Sequence, residues 1–194
     1  ERITLVLTLS VKNGEVTING QVRDLDNFDA VLWEKTVVDT PAADPLANGT
    51  DSPAAPYLTK GHFALYLYED FDKNAPQAEY RVVYDNADVC VLDEVTLDNF
   101  DDGVKTAWDD FNFGLPVGKP VEASGQFTFL LPPLGQAIFV ASKKTSRLFD
   151  LQECDRLRFQ VDLVEGVGKD SFAVLAFIPE KNSLGTLEIG RAHV

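Results

Sequence analysis

The run that opens the chain allows very few folds. Ile3, Leu5, Leu7, Leu9 and Val11 recur at every second residue, with Arg2, Thr4, Thr8 and Ser10 between them. An extended chain puts the first set on one face and the second on the other, whereas a helix would scatter the apolar set around its axis. The run therefore predicts a half-buried strand. Lys12-Asn13-Gly14-Glu15 follows, and Asn-Gly takes the two left-handed positions of a tight type I′ turn at little cost. Residues 15–22 then read as the returning strand. An alternating segment of this kind can also be lent to a neighbouring subunit's sheet, so Ile3, Leu5, Leu7, Leu9 and Val11 are candidates for an assembly strand.

The rest of the chain repeats this vocabulary. Residues 30–38 (with Trp33), 61–68, 79–84, 89–95, 127–131, 137–141, 157–164 and 171–179 read as further short strands. Between them lie turns rich in Gly, Pro and Asp, including Pro132-Pro133, which cannot serve a central ladder. Residues 39–56 carry Pro, Ala, Asp, Asn and Ser, the composition of a long loop. One stretch, residues 146–156, has the spacing of a helix. Many short strands with almost no helical periodicity imply an all-β, antiparallel β-sandwich, either Ig-like or prealbumin-like, or a jelly-roll.

The pentapeptide Leu-Asp-Asn-Phe-Asp occurs twice, at residues 25–29 and 97–101. The repeat suggests two diverged β units, about 1–96 and 97–187; a single sandwich over 1–187 is the alternative, and a chain of 194 residues can bury a core either way. Residues 188–194 look like read-through of a sequencing adapter, so functional residues are expected before them.

Charge narrows the partners. The net charge of -14 opposes binding to nucleic acid, whose phosphates require clustered Lys and Arg. No apolar run is long enough for a membrane span. The sequence has no methionine and two cysteines, Cys90 and Cys154. The expectation is a secreted mature chain, extracellular or at the cell surface, with those cysteines in one disulfide. Asn48-Gly49-Thr50 supplies a glycosylation sequon inside the polar loop.

Gly20-Gln21-Val22, Thr50-Asp51, Gly61-x-Phe63-x-Leu65 and Tyr80-x-Val82-Val83 together resemble the layout of prealbumin-like and collagen-adhesin B-type sandwich modules. The resemblance covers less than half of the chain, and the insertion before Gly61 departs from the short turn of those modules. It implies an Ig-like or prealbumin-like unit of the sort used in adhesins and surface fibres, and carries no site residues with it.

Three turns gather carboxylates: Asp24, Asp26 and Asp29; Asp70, Asp72 and Asn74; and Asp98, Asp101 and Asp102. Calcium takes six to eight oxygen ligands, so these are candidate Ca2+ sites. None is an EF-hand, because the sixth position after Asp70 is Ala75 and the twelfth is Arg81. Solvated acidic turns would look the same, since Asp and Asn suit turn backbone. His62 lies on a predicted strand with no second imidazole before the tail, which favours a locally packed side chain over a metal or triad role. Tyr66 and Tyr68 would form an exposed strip if Phe63, Leu65 and Leu67 face the core, a candidate surface for a polysaccharide. The function expected first is an extracellular structural subunit of a fibre, sheath or matrix that binds copies of itself. A carbohydrate-binding or adhesion module comes second and a secreted glycoside-active enzyme third, with no catalytic residue assigned.

Overall fold

The computed structural model describes residues 2–39, 60–69, 80–90, 94–105, 107–111, 120–131, 138–151, 153–154, 156–167 and 171–179. The strands in chain order are β1 (Ile3–Lys12), β2 (Glu15–Asp24), β3 (Ala30–Asp39), β4 (Lys60–Glu69), β5 (Tyr80–Cys90), β6 (Glu94–Asp98) and β7 (Trp108–Phe111). They continue with β8 (Val121–Ala123), β9 (Gln126–Leu131), β10 (Ile138–Lys144), β11 (Phe149–Asp150), β12 (Arg156–Val167) and β13 (Ser171–Pro179). Among the described residues these form two antiparallel sheets and no helix, which is the sandwich that the sequence predicts.

The larger sheet runs β3-β2-β1-β12-β5-β9-β8, with β6 also on β5, beside β9. In the smaller sheet β4 is central, with β13 on one side and β10 and β11 on the other, and β7 beyond β10. Strands from the two halves of the sequence are mixed in both sheets: β1 pairs with β12, β5 with β9, and β4 with β10 and β13. The pentapeptide repeat therefore does not mark two separate sheets.

The opening hairpin forms as its chemistry dictates. Lys12 pairs with Glu15 across Asn13 and Gly14, whose φ angles are 54° and 80°. Leu5, Leu7 and Leu9 turn inward and join Val82, Tyr84, Leu157, Phe159 and Phe127 from the larger sheet. From the smaller sheet they meet Phe63, Leu65, Leu67, Trp108, Phe149, Leu175 and Phe177. Aromatic rings run through this layer: Phe63 stacks on Phe159 at 5.0 Å, and Phe127 lies 5.1 Å from both Phe100 and Trp108. Tyr84 ties the sheets together. Its hydroxyl donates to the Tyr66 carbonyl at 3.0 Å and accepts from the Val174 amide at 3.0 Å.

Three readings of the sequence change here. The described residues of 146–156 form no helix: Phe149 and Leu151, two apart, both bury, and Phe149–Asp150 pair with β4. The break read between residues 84 and 89 is a β-bulge inside one long strand, with Asn86 at φ 48° and the register shifting opposite β12. The opening strand is central, bonded to β2 on one edge and β12 on the other, so both its edges are used within its own chain. Close approach also fixes Gly61, where a Cβ would lie 2.2 Å from the Ile178 carbonyl oxygen on β13.

Candidate functional site

One open edge of the larger sheet is β3. It pairs with β2 alone among the described residues, so its outer row of backbone N–H and C=O groups has no strand beside it. Residues 31, 32 and 34–38 of the strand are exposed on both faces, while Trp33 packs against the core. Alternation puts Trp33, Lys35 and Val37 on the inner side, opposite Val22, Gly20 and Ile18, and Glu34, Thr36 and Val38 on the outer side, opposite Gln21, Asn19 and Thr17. A bulge at Leu32 shifts the register toward the turn. Val31, Leu32, Val37 and Val38 stand about half exposed, at 50%, 51%, 46% and 48%. Phe28, at the adjoining turn, is 101% exposed.

Polar order surrounds this apolar edge. Asn19 donates to Glu34 at 2.7 Å and to Thr36 at 2.9 Å, and Gln21 donates to Glu34 at 2.9 Å. The Gln21 and Asn19 amides hold the Glu34 carboxyl below its ordinary range, keeping it ionised. Sequence reading recognised the strand but not its exposure. Its signal was the doublets Val31-Leu32 and Val37-Val38, which break alternation and place apolar side chains on both faces.

The acidic turns are built differently from the calcium expectation. In the first, Asp24 Oδ1 accepts from the Asp26 amide at 2.9 Å, and Asp26 accepts from the Arg2 guanidinium at 2.7 and 3.0 Å and from the Arg2 amide at 3.1 Å. Those bonds hold the Asp26 carboxyl below its ordinary range, the Arg2 amide contributing most. Asp29 closes the turn at φ 59°, donating its amide to the Asp24 carbonyl.

In the second turn, Asp98 accepts from the Phe100 amide, the Trp108 indole at 2.8 Å and the Lys144 ammonium at 2.6 Å. Asp101 accepts from Asn99, and Asp102 from the Val104 amide. Protein donors already meet the carboxylates of Asp24, Asp26, Asp98, Asp101 and Asp102. Among the described residues no group of three or more Asp, Glu, His or Cys side chains gathers in a way that could hold a metal ion. Asp70, Asp72 and Asn74 lie outside the described residues, as does Asn48.

No disulfide joins Cys90 and Cys154. Val89 is in the core, so alternation turns Cys90 to the other face of β5, whereas Cys154 packs against the core with its thiol donating to the Asp150 carbonyl at 3.2 Å. Nor is there a tyrosine strip. Tyr66 is buried at 5% exposure, and the Tyr68 side chain lies outside the described set. His62 sits at the β4 margin, with Nδ1 3.1 Å from the Arg147 carbonyl oxygen, a local contact of the kind expected for it.

Sequence reading named Asp98 and Asp102 but missed the acid packed beside them. Glu122 on β8 is 6% exposed, with neither carboxylate oxygen hydrogen-bonded, close to Asp98, Asp102 and Lys144. Val121 and Ala123 flank it, a pattern that points Glu122 to solvent. The strand is turned the opposite way.

No protein-family model, no curated protein and no solved structure matches this chain. Among the described residues no helix is long and apolar enough to cross a membrane.

Proposed function

We propose that this chain is a structural subunit that joins copies of itself edge to edge through β3, in an extracellular or cell-surface fibre, sheath or matrix. The observation that carries the reading is an open strand edge with Val31, Leu32, Val37 and Val38 exposed and Phe28 beside it. Backbone bonds along such an edge supply affinity, and the alternating side chains supply fit. The extracellular setting is inferred from the sequon at Asn48.

The occupant is a second copy in head-to-tail order. A two-fold antiparallel pair of β3 strands must set one residue opposite its own copy. For Ala30–Asp39 the fullest registers centre on Glu34 or Lys35, placing like charges face to face, which disfavours the pair. Pairing with the opposite edge of the larger sheet, made by β6 and β8, avoids that clash. It is open-ended, as a fibre requires. The net charge of -14 holds copies apart, and calcium acts here by screening that charge rather than by filling a turn.

Light-scattering chromatography of the full chain over a concentration series, with calcium and with chelator, tests this. Growing particles are expected, and a Leu32→Lys, Val37→Lys double variant should stay monomeric. A wild-type chain that stays monomeric throughout, or a double variant that still assembles, would sink the reading.

A further inference from the structure

The edge opposite β3 carries a buried acid that assembly does not use. β8 joins β9 through Ser124 and Gly125, at φ 56° and 72°, a tight left-handed turn. Val121 and Ala123 face solvent, and Glu122 between them points inward, 6% exposed, with both carboxylate oxygens lacking a hydrogen-bond partner. The groups facing it are Asp102 from the second acidic turn, Asp98 from the end of β6 and Lys144 from β10. Asp101 of the same turn abuts the hairpin tip, where a Cβ on Gly125 would come within 2.9 Å of its Oδ1. Lys105 reaches the Pro120 carbonyl just before β8, but it is held by Asp110. Lys144 is bound to Asp98 at 2.6 Å.

The hairpin thus presses a carboxylate into a site that already holds two others and one engaged ammonium. Ionised carboxylates only accept hydrogen bonds, so Glu122 and Asp102 cannot bond each other when both are charged. One proton turns Glu122 into a donor, and Asp102 is the acceptor beside it.

We propose that Glu122 and Asp102 share a single proton, and that this proton latches the β8–β9 hairpin onto the second acidic turn. Burial, then the neighbouring Asp102 carboxyl, push Glu122 from an ordinary 4.5 up to about 7. The Asp102 carboxyl is held down, first by the Val104 amide and then by Glu122. The native state therefore binds an extra proton between those two values, and the latch weakens as pH rises through about 7. Because β8 pairs with β9 alone among the described residues, its release bares the outer edge of β9 from Gln126 to Thr128. The inference goes beyond edge assembly through β3 and does not depend on it.

The test is a carboxyl carbon-13 NMR titration of the full chain, with hydrogen exchange of residues 121–128 at about pH 5.5 and about pH 8.5, corrected for intrinsic rates. Glu122 should titrate near neutrality, and hairpin exchange should rise about tenfold or more at the higher pH. Glu122→Gln should hold the hairpin closed at both. Should that variant fail to fold, Asp102→Asn replaces it, since its amide donates to an ionised Glu122 and should also remove the pH dependence. A Glu122 midpoint in the ordinary carboxylate range, or exchange in the wild type that ignores pH, would overturn the latch. A wild-type chain that stays monomeric yet shows both effects would overturn assembly alone.

Discussion

The same five residues, Leu-Asp-Asn-Phe-Asp, are folded twice in this molecule with opposite outcomes. Both copies bend at the phenylalanine, with φ 54° at Phe28 and 57° at Phe100. Both attach their first aspartate to a cation, Asp26 to Arg2 and Asp98 to Lys144. The surroundings then diverge. Phe28 is 101% exposed and Phe100 is 0% exposed, stacked on Phe127. The Arg2–Asp26 side chains are 56% and 46% exposed, against 7% and 11% for Lys144–Asp98. Local sequence sets the backbone bend and the appetite for a cation. Whether either matters to stability depends on what the rest of the fold places over it.

That comparison can be broken by substitution. Phe100→Ala should lower the unfolding free energy by about 3–5 kcal/mol, through lost burial and a cavity. Phe28→Ala should stay within about 0.5 kcal/mol, as surface changes do. Denaturant melts of both variants measure the contrast, and equal losses would end it. Asp98→Ala strands the Lys144 ammonium and the Trp108 indole in the interior, an expected cost of about 3 kcal/mol. Asp26→Ala, at an exposed pair, should barely move the same melt.

Acid and base should sharpen the contrast, because an acid in the first turn and one packed beside the second respond with opposite sign. Glu122 has its folded value raised from 4.5 to about 7. Its contribution is favourable at mildly acid pH and is lost on rising through neutrality, up to about 3 kcal/mol between pH 5 and 8. Glu122→Gln should flatten that slope in thermal melts across the window. Asp26 has its folded value lowered by Arg2, so its contribution is present above the ordinary carboxylate range and disappears on acidification below it. Tyr84→Phe should cost about 1–3 kcal/mol, from leaving the Tyr66 carbonyl and Val174 amide without their shared hydroxyl.

The strands were legible because their chemistry is local. Ile3 to Val11 forms a strand and Asn13-Gly14 turns as read, although Thr4 and Val6 on the second face are buried as well. What residues pack against which was not legible, for the same reason that the two pentapeptides differ. Nothing near Glu122 in sequence says that β8 is turned so that its acid points inward. The Tyr66 side chain reads as outward by alternation opposite Leu65 and Leu67, yet it is buried. Pairing Cys90 with Cys154 rested on an even count, which cannot tell one face of a strand from the other. The exposed β3 edge was hidden by its apolar doublets, which read as burial until the strand's place at the sheet margin is known.

The Tyr84 hydroxyl has a mechanical side. It engages β4 and β13 at once from the middle of β5. Apolar faces resist separation but slide past one another at little cost, while a short directed bond resists sliding. A pull along the larger sheet is therefore shared with two strands of the smaller one at that rivet.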